Sequence, residues 1–215
     1  MISAMPLQNR VDPFGELFAT PARGTWMGNR GGRFHRDDRT LGMRRHVSRA
    51  WICCRLEFKD RHREVWGRGY TELFFLDEVT ALAAGHRPCF ECRWHDARAF
   101  AEAWVRSRTA KDRPRAAAMD KVLHAERLDG RRKRTHRLPV DDLPDGAFIA
   151  IEGEAWAVLG NSFLRWSPAG YDLRKRRLKK ITVDVLTPPA ILRVLAAGYR
   201  PQWHPSADKQ IAERT

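Results

Sequence analysis

In Gly85-His86-Arg87-Pro88-Cys89-Phe90-Glu91-Cys92, residue types and spacing suit metal chemistry. Two cysteines separated by two residues can place both sulfurs on one ion. Two further cysteines, Cys53 and Cys54, are adjacent and lie upstream. Zinc asks for four ligands in a tetrahedron, with sulfur about 2.3 Å from the metal. Neighbours on a strand point to opposite faces, so one of Cys53 and Cys54 is expected to join Cys89 and Cys92. Cys54 is favoured, because it precedes the Arg55-Leu56-Glu57 strand. The fourth place stays open. His95, three residues after Cys92, is the nearest candidate; His86, His62 and His46 are others. Zinc held this way would be structural. The competing reading is four buried thiols packing as small hydrophobes.

The second chemistry is cationic. Lys and Arg number 40 against 26 acids, a net charge of +14. Such an excess attracts polyanions, and nucleic acids are the usual ones. Candidate phosphate contacts are Arg30 and Arg33 in a Gly-rich loop, the run Arg131, Arg132, Lys133 and Arg134, and the run Arg174, Lys175, Arg176 and Arg177. Arg forks onto phosphate oxygens, and Trp156, Trp166 and Tyr171 would stack on bases unless they fill a core. A third group, Asp120, His124, Glu126 and Arg127, shares one expected helix. A His beside carboxylates can serve as general base or help hold Mg2+ or Mn2+, with Arg steadying a phosphate. That would suit phosphodiester cleavage. The alternative is a surface helix with ordinary i,i+4 pairs.

Regular elements must position these groups. Asp77 is expected to cap a short helix over 78–84, Gly85 to end it, and Pro88 to prevent its return. An amphipathic helix starts near His95, with Ala97, Phe100, Ala101, Trp104 and Val105 on one face. Residues 115–128 read as another helix, broken by Asp129-Gly130. Strands are expected at 51–58, 63–66 and 71–76, then at 147–151, 155–159, 163–166 and 181–186, with 174–180 in a loop. A last helix opens at Thr187-Pro188-Pro189 and ends at Gly198. Leu82 to Pro88 and Leu195 to Pro201 share a helix-glycine-Arg-Pro pattern. The class is α+β. A Gly/Arg-rich segment plus a small zinc-stabilised strand-helix unit covers 1–105. A basic helical segment covers 106–142, and a compact antiparallel β unit with a C-terminal helix covers 143–215. Packing of all three as one domain stays open.

Phe74-Phe75, Glu78 and Ala81 to Cys92 resemble the second half of the Ada-type metal-binding domain, a module of methylphosphotriester DNA repair that is also appended to some nucleases. The likeness spans residues 71–93. It implies that Cys89 and Cys92 form half of a four-cysteine zinc site, and that the chain works on DNA. The family spaces its first two cysteines a few residues apart, one being the methyl acceptor. Here Cys53 and Cys54 are adjacent, so methyl transfer does not carry over. The expected function is a zinc-containing DNA-binding protein in DNA processing or repair, with DNA favoured over RNA. If it is an enzyme, a metal-dependent endonuclease is expected. The alternative is a non-catalytic DNA- or RNA-binding regulator. No run approaches 18 apolar residues and the first residues lack a signal-peptide core, so the expected address is the cytoplasm, away from membranes.

Overall fold

The computed structural model describes residues 5–61, 64–108 and 114–212. Short apolar stretches of the first half form β1 (Arg10–Val11), β2 (Leu17–Phe18), β3 (Trp26–Asn29), β4 (Ile52–Cys54), β5 (Leu73–Phe75) and β6 (Arg87–Pro88). They build one sheet, ordered β2-β1-β5-β3-β4-β6. The strand expected at 63–66 does not form. Arg63 lies outside the described residues, and Val65-Trp66 is a turn in which Trp66 takes φ +58°. Trp66 is held by its indole N–H, which donates to the carbonyl of Glu72 at 2.9 Å.

Helix α1 (Glu78–Ala83) follows β5 as its caps dictate. The Asp77 carboxylate accepts from the N–H and hydroxyl of Thr80. Gly85 ends the helix at φ +89°, and a Cβ there would stand 2.6 Å from Arg127 Cδ, so glycine is needed for conformation and for space. Every residue of α1 is buried. Ala81 and Ala84 pack on the first sheet with Leu73 and Phe75. Leu82 meets α2 (Trp94–Arg106), α3 (Ala116–Arg127) and α4 (Pro189–Ala196) through Phe100, Trp104, Met119, Leu123 and Ile191.

A hairpin, β7 (Leu128–Asp129) and β8 (Arg132–Lys133), leads into β9 (His136–Pro139). The second sheet adds β10 (Phe148–Ile151), β11 (Glu154–Leu159), β12 (Ser162–Ser167), β13 (Gly170–Arg176) and β14 (Thr182–Val185), ordered β13-β12-β11-β10-β14-β9. Its pairings are antiparallel. Alternation sends Phe148, Ala157 and Leu164 towards Val79 and Ala83 of α1, and Ile149, Trp156 and Phe163 into a cluster of their own. The expected loop over 174–180 is in part strand, since β13 runs to Arg176 and pairs with β12.

Core clusters cross both expected boundaries, 105/106 and 142/143. The Tyr171 hydroxyl donates to Asp77 at 2.8 Å, and the Tyr199 hydroxyl donates to Glu78 at 2.6 Å. The N–H groups of Gln202 and His204 donate to the same two carboxylates and fasten the turn before α5 (Ser206–Ala212) to the start of α1. Among the described residues no helix is long and apolar enough to cross a membrane.

Candidate functional site

The thiols meet because β6 runs parallel beside β4. The Cys89 N–H donates to the Cys53 carbonyl at 3.0 Å, which seats the following turn against the end of β4. The sulfurs of Cys54, Cys89 and Cys92 all lie within 4.8 Å of one another. Sulfurs on one tetrahedral zinc stand ~3.8 Å apart, so the trio fits a single ion. The Glu91 N–H points to Cys89 Sγ at 3.4 Å. Hydrogen bonds from Cys54 and Cys92 pull the Cys89 thiol down to about 2. Its contacts with Cys89 and Cys92, together with burial, push Cys54 far up. The three sulfurs are therefore hydrogen-bonded to one another, and a metal would have to displace the protons they hold. They open on a cavity of about 290 Å3, also lined by Ser48, Tyr70, Arg61 and Glu91, the last two paired at 2.7 Å.

Cys53 does not join them. Strand alternation turns it to the opposite face of β4, fully buried, with Arg93 Nη1 at 3.5 Å from its sulfur. His95 is exposed on the first turn of α2 against Trp94, because the inward face of that helix is taken by Ala97, Phe100 and Ala101. His86 is buried beneath Trp51, and His46 lies tilted against Trp51 and edge-on to His124. His62 lies outside the described residues. Among those described, three ligands converge.

On the other side of β4 a second cluster forms around Trp51, the residue just before that strand. Trp51 is 2% exposed, and the guanidinium carbons of Arg30 and Arg127 lie 3.9 and 3.8 Å from its ring centroid. Arg30 donates to the carbonyl of Gly15 at 2.8 Å and to His86 Nε2 at 3.4 Å. Arg127 donates to the carbonyls of Gly85 and Arg49 at 2.9 and 2.8 Å. Lys133, turned inward from β8, donates to the Ala83 carbonyl. These partners are carbonyls and a neutral imidazole, not carboxylates. Arg127 Nε and His86 Nδ1 are buried and without a hydrogen-bond partner among the described residues. Burial lowers Arg30 to about 9, and burial with the charge of Arg30 lowers Arg127 to about 8 and Lys133 to about 7. The three line a cavity of about 650 Å3, which Arg44, Arg45 and Arg131 also line; Glu16 is its one acidic lining residue among those described.

The expected catalytic group does not assemble. Asp120 is buried and held by Arg87 through two 2.8 Å bonds, the Arg of the Arg-Pro turn that precedes Cys89. Glu126 accepts from the N–H of Ala190 at 2.7 Å, so it caps α4. His124 accepts from Arg127 Nη2 at 3.1 Å, and burial followed by that positive charge lowers it to about 4. Those contacts leave a neutral but weak base whose Nδ1 lone pair is already engaged. Arg127 is a buried member of the cationic pocket.

The expected phosphate contacts divide. Arg30 and Lys133 turn inward, and Arg131 stays exposed with its side chain on the Met43 carbonyl at 2.7 Å. Arg132 is exposed on β8. Arg33 pairs with Asp37, and Arg134 reaches Asp129 at 3.6 Å. Arg174 donates to Ser162 and to the Gln210 carbonyl, and Arg177 donates to the carbonyls of Val140 and Leu143. Lys175 lies 4.6 Å above the ring of Trp156, and Arg176 is exposed. Trp156 and Tyr171 are core and offer no free face to a base; Trp166 is half-buried, with its indole donating to Thr80 and its ring against Phe18. The sequence reading missed Trp51 and Arg45. No local pattern marks Trp51, whose partners come from three distant segments.

Searches against family models, curated proteins and solved structures return no match for this chain.

Proposed function

We propose that the chain is a zinc-containing protein that binds nucleic acid, DNA in preference to RNA. The cationic pocket carries this proposal. Arg30, Arg127 and Lys133 line one cavity with no carboxylate bonded to them, and charge removed from water is costly unless an anion completes it. Phosphate is the anion that a strongly basic chain meets most often. The preference for DNA rests on the resemblance of residues 71–93 to the Ada-type domain.

Zinc on Cys54, Cys89 and Cys92 would be structural. It would tie the end of β4 to the turn after β6, and so fix the strand that begins at Trp51 and the helix end at Gly85. Both support the pocket. A reducing cytoplasm would keep those thiols available for metal. Cleavage is no part of this proposal, because Asp120 and Glu126 are engaged by Arg87 and α4.

Fluorescence anisotropy with duplex DNA, single-stranded DNA and RNA tests the proposal. If ~6 phosphates are contacted, affinity falls about a thousandfold between about 50 and 200 mM salt. Absent or salt-insensitive binding to all three would refute it. Elemental analysis should find about one zinc per chain, lost in Cys89→Ser.

A further inference from the structure

The geometry points to a phosphomonoester subsite: the pocket of Arg30, Arg127 and Lys133 seats the free phosphate at the end of a nucleic-acid strand. This rests on the nucleic-acid function proposed above and names which part of the strand the pocket takes.

Three features separate a strand end from a strand passing by. The first is concavity. Walls come from the 43–47 segment, the end of α3 and the β7–β8 hairpin, around a cavity of about 650 Å3. That volume suits a nucleotide-sized group and falls in the ~300–1,000 Å3 range of small-ligand sites. The second is what the walls offer. Trp51 is buried and covered by two guanidinium groups, so the pocket presents charge where a base-reading site would present open rings. The third is the quantity of charge. A monoester carries about −1.5 to −2 near neutral pH, against −1 for a bridging diester. It compensates several cations lining one cavity better than a chain phosphate does.

The test uses the full chain, zinc-loaded, and three internally labelled single strands of one sequence: 5′-phosphorylated, 3′-phosphorylated, and hydroxyl-ended. Anisotropy at constant salt should show one terminal phosphate tightening binding about tenfold or more, the size of a hydrogen bond to a charged group. Millimolar inorganic phosphate should remove that preference. Lys133→Met should abolish it, and inorganic phosphate should raise the Tm of the wild type but not of the variant. Equal affinity for all three strands, with salt dependence intact, would overturn the subsite and leave nucleic-acid binding standing. No binding of any strand, with the phosphate effect on Tm intact, would overturn the function on which the subsite rests.

Discussion

Two crowded clusters flank β4, and they are opposites. At its far end three sulfurs gather where a cation would join them. At its near end three cations gather where an anion would join them. The two crowds find relief differently. Thiols hold or release protons, so the sulfur cluster without metal settles into a hydrogen-bonded set, low at Cys89 and high at Cys54. Burial lowers all three cations, Lys133 to about 7 against about 8 for Arg127 and about 9 for Arg30, so within the pocket Lys133 is the group best able to shed charge. The comparison teaches that the metal would act as part of the fold, a link between residue 54 and residues 89 and 92. The anion would act as a ligand that arrives and leaves.

Breaking the metal link should have the largest effect. Chelation of the zinc-loaded protein, or Cys54→Ser, is expected to lower Tm by about 10 °C or more, since structural zinc contributes folding energy outright. Circular dichroism melts with and without chelator measure this. Equal melts would make the sulfurs ordinary core thiols.

Filling the pocket should have the next effect. Inorganic phosphate at about 100 times its Kd adds about 2.7 kcal/mol, roughly 5–10 °C for a chain of this size. The gain depends on pH. Lys133 is lowered from 10.5 to about 7 by burial and then by Arg30. Between about 7 and 10.5 the unfolded chain holds more protons than the folded one, so stability without phosphate rises with pH across that window. Phosphate should therefore stabilise more at pH 6 than at pH 9 and flatten the profile. A flat profile without phosphate would remove the pocket's electrostatic strain.

Removing one cation should have an effect opposite in sign to removing one thiol. Lys133→Met at pH 6, without phosphate, deletes a buried charge to which no carboxylate is bonded and is expected to raise Tm by about 2–4 °C, close to 1 kcal/mol. At pH 9, where Lys133 is mostly neutral in the fold, the gain should vanish. Destabilisation at both pH values would make Lys133 a simple packing residue.

The sulfur cluster was far more legible in the sequence than the pocket. Asp77, Gly85 and Pro88 act within a few residues of themselves, so α1 and the turn into Cys89 could be read locally. Two-residue spacing marked Cys89 and Cys92, and strand alternation favoured Cys54. Helices α2 and α3 and the β10–β11 hairpin showed their periods. Strands β1 and β2 are two residues each, too short to show one, and β13 hid behind Asp172, Arg174, Lys175 and Arg176. The pocket has no local signature. Arg30 read as a loop cation, Arg127 as a catalytic helper and Lys133 as one of a surface run. Each turns inward through long-range packing on Trp51 and on the carbonyls of Gly15, Gly85 and Ala83.

The smallest effect provides the sharpest control on the metal side. Cys53 and Cys54 are neighbours in sequence and chemically identical, and alternation alone separates them. Cys53 Sγ lies against Arg93, in the cluster that holds Leu73 and Phe75. Cys53→Ala should leave zinc content unchanged and lower Tm by only about 1–2 °C, the cost of a small core truncation of about 0.5 kcal/mol. Cys54→Ala should lose the ion. A one-residue slip of β4 against β3 would exchange the two faces and reverse this pair of outcomes. Zinc lost in Cys53→Ala and kept in Cys54→Ala would mean that Cys53, and not Cys54, stands opposite Met27. Trp51 would then leave the pocket too, so this one pair of variants tests the placement of both clusters.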